Sequence, residues 1–154
     1  MEGQKALITD FIYGNQAALY RLAFAYTRSR EAALDIVQDT VVQALTHAAS
    51  LRSAEAVKPW VYRILVNESL AYLRRNKRFL FVETLPEQQA EDADIGERLD
   101  VYRAVERLDP KLRTVVMLRF YEDMKLEDIA RITGTNLNTV KSRLYTAIGR
   151  LKEE

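Results

Sequence analysis

Apolar positions along this chain recur at steps of three and four, the spacing that lines one face of an α-helix. Ala6, Leu7, Phe11 and Ile12 predict a first amphipathic helix, broken near Gly14, and Leu19, Leu22, Ala23 and Tyr26 predict a second. Ala33, Val37, Val41, Ala44 and Leu45 predict a third, whose other face shows Asp35, Gln38, Asp39 and Thr40. After a polar break over residues 50–56, Trp60, Ile64, Leu65, Leu70 and Leu73 mark a fourth. Between residues 82 and 96 the pattern stops. Pro86, two adjacent Gln and the acids Glu83, Glu87, Glu91, Asp92, Asp94 and Glu97 read there as a solvated connector. Order resumes with Ile95, Leu99, Tyr102, Val105 and Leu108. Asp109-Pro110 then supplies an N-cap and a first helical residue for a helix running through Leu112, Val115, Val116 and Leu118 to about Tyr121.

The stretch 126–151 carries the most specific pattern. Leu126, Ile129, Ala130 and Ile132 make one buried stripe; Gly134 offers a left-handed helix end, and Asn136 offers the next N-cap. Leu137, Val140, Leu144 and Ile148 line the inner side of the last helix, opposite Asn138, Thr139, Lys141, Ser142, Arg143 and Tyr145. A helix-turn-helix needs a small residue at the crossing, a permissive residue in the turn and an early apolar anchor. Ala130, Gly134 and Val140 fill those places. Such a unit sets its second helix in the major groove, where Asn, Lys, Arg and Ser hydrogen-bond bases and phosphates. An ordinary helical hairpin with a solvated face is the plainer alternative.

Composition narrows the field. With 154 residues, 48% of them hydrophobic, the chain suits one domain or two small ones with a real core. The absence of cysteine removes disulfides and thiolate metal sites and suits a reducing, cytoplasmic setting. His47, the lone histidine, makes no metal cluster and reads as a surface or helix-end group. The first residues do not resemble a signal peptide, and no apolar run is long enough for a membrane span. No Gly-rich phosphate loop, metal cluster or nucleophile–base pair is present, so the expectation is a binding protein with no cofactor, not an enzyme.

The net charge of +1 hides an asymmetry. Residues 1–80 carry +4, residues 81–100 carry −6, and residues 101–154 carry +3. The fourth helix ends in Arg74, Arg75, Lys77 and Arg78 beside Tyr72, Phe79 and Phe81. Such a run neutralises phosphates and stacks bases, or simply complements the dipole at a helix C-terminus.

Three stretches together resemble the bacterial extracytoplasmic-function (ECF) group of sigma factors, in the sigma-70 superfamily. ALDIVQDTVVQAL (33–45) is similar to the family's core-polymerase-binding helix. KPWVYRILVNESLAYLRR (58–75) is similar to its promoter-melting helix, and residues 105–144 to the domain that binds the −35 element. The resemblance implies an all-α fold: domain 2 over 1–81, a flexible acidic linker over 82–96, and a helix-turn-helix domain 4 over 97–154. It implies a sigma factor that binds core RNA polymerase and directs promoter-specific initiation from −35 and −10 elements. Asp35, Gln38, Asp39 and Val42 match the polymerase-binding face. Arg52, Ser53, Lys58, Trp60, Arg63, Asn67, Arg74 and Arg75 match the −10 and melting surface, whose loop (51–58) captures an extruded base. Asn138, Thr139, Lys141, Ser142, Arg143 and Tyr145 match the −35 reading helix. The implied partners are core RNA polymerase, promoter DNA and an anti-sigma factor. Departures are Leu34, where the family favours Glu, Val41 for a frequent Phe, Ala71 for an acid, and Thr146 and Ile148 at often basic positions. They fall at positions that bear on upstream DNA contact and on the polymerase interface. A stand-alone helix-turn-helix regulator explains residues 101–154 and leaves 33–75 without a role.

Overall fold

The computed structural model describes residues 2–76 and 96–153. Residues 82–95 of the expected linker, and Lys77, Arg78, Phe79 and Phe81 of the basic run, lie outside the described residues. Within those described, the chain is all-α: α1 (Glu2–Gly14), α2 (Gln16–Thr27), α3 (Arg30–Thr46), α4 (Val57–Arg75), α5 (Gly96–Glu106), α6 (Pro110–Val116), α7 (Leu126–Thr133) and α8 (Leu137–Lys152). Two short 3₁₀ turns, Ala48–Ser50 and Ala54–Ala56, occupy the polar break before α4. After α6 the backbone widens into a π-helical turn over Met117–Tyr121.

Local chemistry explains the boundaries. Ser29 Oγ accepts the amide of Ala32 at 3.2 Å and starts α3. Asp109 Oδ1 accepts the amide of Lys111 at 2.9 Å, with Pro110 at the first helical position, as the sequence predicts. α2 ends where Arg28 turns left-handed at φ +55, an uncommon state for a residue with a Cβ. Thr40 and Ser69, buried inside helices, donate their hydroxyls to Ile36 O and Leu65 O at 2.8 Å, so neither is left unsatisfied.

The core differs from the expected pattern by small rotations. Ile8, fully buried, carries the inner face of α1, while Leu7 is 37% exposed. In α3 the buried residues are Ala32, Ala33, Ile36, Thr40 and Ala44, with Val37, Val41 and Leu45 only half-buried. In α8 only Val140 and Ala147 are fully buried; Leu137, Leu144 and Ile148 sit at the edge. The relation between the two halves, left open by the sequence, is direct contact. α4 packs against α7 as well as against α2 and α3, and one continuous cluster runs from Ile8, Leu22 and Leu65 to Val115, Ile129 and Val140. Each fully buried Leu, Ile or Val in it contributes roughly 1.5–3 kcal/mol by leaving water.

Candidate nucleic-acid interface

The hairpin of α7 and α8 forms by the devices its sequence carries. Gly134 closes α7 at φ +69, with Thr135 N–H reaching back to Ala130 O at 3.0 Å. Asn136 Oδ1 accepts the amide of Thr139 at 2.8 Å and opens α8. Val140 anchors the inner side with no exposure. The outer side is free: Asn138, Lys141, Ser142 and Tyr145 are all exposed and fall at i, i+3, i+4 and i+7, one continuous stripe. Tyr145 is 83% exposed, a large ring with no packing partner among the described residues. Thr139 and Arg143 flank this stripe and are half-buried. A polar stripe at the N-terminal end of a hairpin's second helix is the arrangement that enters a major groove.

The second surface is a cleft where the end of α3 meets α4. Gln43, His47 and Ser50 face Trp60, Arg63, Ile64 and Asn67 across a space of about 380 Å³. Three of the sequence-derived −10 residues thus converge: Trp60 half-buried in the wall, Arg63 and Asn67 exposed. Arg52, Ser53 and Lys58 are exposed on the loop leading into α4. Arg74 and Arg75 are exposed at the far end of α4, about 17 Å from Arg63 by helical rise, and belong to a different stretch of any bound strand. Sequence reading missed Gln43, His47 and Ser50 as cleft residues. The only available signal was the four-residue spacing of Gln43 and His47 at a helix end. His47 does stand at that end, exposed, with Nδ1 3.0 Å from Gln43 O.

The third surface is the outer face of α3. Asp35, Gln38, Asp39 and Val42 are exposed on one side of it, and Leu34 joins them. Leu34 at 49% and Val42 at 59% exposure are apolar groups without cover, alongside two carboxylates with no ion-pair partner among the described residues. An apolar pair between fixed charges suits a protein partner better than a nucleic acid. No described group of His, Asp or Glu is placed to hold a metal ion, and no described helix is long and apolar enough to cross a membrane.

The model of sigma-70 region 2 matches residues 12–79, and that of sigma-70 region 4 matches residues 98–151. The RNA polymerase sigma factor SigV of Bacillus subtilis is 40% identical over 146 residues, covering 94% of this chain and 88% of its own. This chain belongs to the sigma-70 family. Its relatives include the ECF sigma factor SigM of Mycobacterium tuberculosis, 35% identical over 86% of this chain and 69% of that protein. In structure it resembles the sigma factor RpoE of Bartonella quintana, solved in complex with the anti-sigma factor NepR. That likeness has a TM-score of 0.72, 25% identity and 94% coverage of both chains. This sigma factor therefore falls in the ECF group and directs transcription initiation; as a family, sigma factors are not enzymes.

In this sigma factor the two matched regions meet along a polar seam that sequence reading did not find. Tyr26 and Thr114 hydroxyls lie 2.6 Å apart in the interior, and burial raises the Tyr26 hydroxyl above its ordinary value. Arg21 donates from Nε and Nη2 to the two oxygens of Glu122 at 3.2 and 3.0 Å, a fork that holds Arg21 firmly charged. Arg28 Nε lies 3.3 Å from Glu106 Oε2, an ion pair without hydrogen-bond geometry. Arg113 stacks over the Tyr26 ring at 5.9 Å, and desolvation lowers its pKa.

Proposed function

We propose that the three surfaces divide the work of promoter recognition. The α8 stripe of Asn138, Lys141, Ser142 and Tyr145, flanked by Thr139 and Arg143, reads the −35 element. The cleft around Trp60, Arg63 and Asn67, with Arg52, Ser53 and Lys58 on its loop, holds the melted −10 strand. Arg74 and Arg75 neutralise backbone phosphates. Asp35, Gln38, Asp39 and Val42 bind core RNA polymerase. On this reading residues 1–81 act as domain 2, 82–96 as the linker and 97–154 as domain 4, in the cytoplasm.

The observation that carries the reading is the cleft. An open cleft of about 380 Å³, with an indole, a guanidinium and an amide on its wall and the Glu68 carboxylate beside them, has room for an extruded base, whose unstacking costs a few kcal/mol that ring and edge contacts offset. A stand-alone repressor has no use for it, nor for an uncovered α3 face. An anti-sigma partner is part of the proposal, supported by the anti-sigma factor bound to the Bartonella quintana relative.

The test is in-vitro transcription with mapped start sites. The chain plus core polymerase should initiate at defined promoters, while the free chain binds DNA weakly and with strong salt dependence. A tight, specific, salt-resistant footprint by the free chain, with no initiation, would identify a repressor instead. A pull-down that recovers polymerase and no smaller regulator counts against the anti-sigma partner.

A further inference from the structure

Glu68 is out of character in the α4 cleft. A surface that holds a nucleic-acid strand presents cations to its phosphates. Of the residues lining this space, however, only Arg63 and Glu68 carry a fixed charge, and the two are opposite in sign. Glu68 is half-buried, and no hydrogen bond or ion pair engages its carboxylate among the described residues. Internal pairing therefore does not account for it. A phosphate does not either, because a carboxylate repels one. The groups able to neutralise phosphates stand outside the cleft. Arg52 and Lys58 are on the loop before α4, and Arg74 and Arg75 lie about 9–10 Å beyond Glu68 by helical rise. The interior of the cleft is left to a base.

We propose, resting on the reading of this cleft as the −10 site, that Glu68 selects the base held there. The selected base carries both an exocyclic amine and a carbonyl, which makes it cytosine or guanine. Donors and acceptors decide the class. A carboxylate only accepts hydrogen bonds, and a guanidinium only donates them. Arg63 and Glu68 are five residues apart on α4, about 7.5 Å by helical rise, a separation that one base can bridge. A base lying between them must donate at one end and accept at the other.

Cytosine meets that demand with its N4 amine on Glu68 and its O2 on Arg63. Guanine meets it with N1–H and the N2 amine on Glu68 and O6 on Arg63. Thymine offers a lone N–H flanked by two carbonyls, which the carboxylate repels. Adenine has the amine but no carbonyl for the guanidinium. Asn67, on the same wall, has an amide that both donates and accepts, so it favours neither class. Charge in this cleft thus sorts bases and does little to hold the strand.

The test uses holoenzyme assembled from the full chain and core polymerase. It is offered pre-melted promoter duplexes whose single-stranded −10 segment is randomised, and the bound pool is sequenced. Wild type should fix cytosine or guanine at one position, and the sequence read there says which. A base-edge pair of this kind discriminates by about five- to 150-fold. Glu68→Gln, whose amide also donates, should therefore cut the preference over thymine at that position at least fivefold and leave the other positions as they were. Glu68→Lys puts a donor in place of an acceptor and should turn the preference towards thymine, which a merely structural residue would not do. Replacing the selected cytosine by uracil, or the selected guanine by inosine, removes the amine. That change should weaken wild-type binding at least fivefold and Glu68→Gln binding far less. Circular dichroism should show the helicity of both variants unaltered. An unchanged preference in both variants, or a wild type that fixes no cytosine or guanine while selecting other bases, would overturn the role of Glu68 and leave the cleft as the −10 site. A wild-type holoenzyme that binds the duplexes without selecting any base in the melted segment would overturn the −10 reading itself, and Glu68 with it.

Discussion

Gly134→Ala tests the turn between α7 and α8, the helix proposed to read the −35 element. Two effects compete there. The backbone sits at φ +69, where an alanine is disfavoured by roughly 1–2 kcal/mol relative to glycine. The added Cβ would also meet Arg63 Nη2 at 3.1 Å. That contact is tight, but the guanidinium is the far end of an exposed, flexible side chain and swings away at small cost. Backbone strain therefore dominates. For a chain of this length each kcal/mol lowers Tm by about 2–4 °C, so the expected loss is about 2–8 °C. Thermal unfolding followed by far-UV circular dichroism measures it. Gly134→Asn should lose less, since Asn tolerates the left-handed region. Adding Arg63→Ala to Gly134→Ala should recover little. An unchanged Tm for Gly134→Ala, or full recovery in the double variant, would refute the strain argument and make steric contact the cause.

Three further outcomes are expected. Asp39→Lys reverses an exposed charge on α3 and should abolish co-elution with core polymerase while leaving helicity unaltered; a retained complex would move the interface elsewhere. Arg143→Ala should weaken upstream promoter recognition by about 1–3 kcal/mol if the side chain reads a base, with less loss for a phosphate contact; an unchanged promoter profile removes it from the reading set. Burial pushes the Tyr62 and Tyr121 hydroxyls up to about 12 from an ordinary 10. The folded chain keeps these protons where the unfolded chain releases them, so their contribution is intact below pH 10 and lost as pH climbs towards 12. Tm should fall across that window, and a flat profile would contradict the burial argument.

What the sequence determined by itself were features that act over one or two helical turns. The Asp109 and Asn136 caps and the left-handed end at Gly134 each depend on atoms within a few residues, so their chemistry is written locally. The outward stripe of α8 follows from periodicity, as does the outer face of α3 except at Thr40, which is fully buried, and the resemblance to sigma factors rests on those same short patterns. Periodicity erred where neighbouring helices chose the face: Ile8 is buried in place of Leu7, and Ala147 is buried more deeply than Leu144. Tertiary structure alone decided the cleft beside Trp60 and the seam between the halves. Arg21 and Glu122 lie 101 residues apart, Tyr26 and Thr114 88. Nothing in the spacing of an exposed arginine on one amphipathic helix records which distant carboxylate its packing will bring alongside. Burial in the shared core makes that choice, and with it how the two matched regions pack against each other.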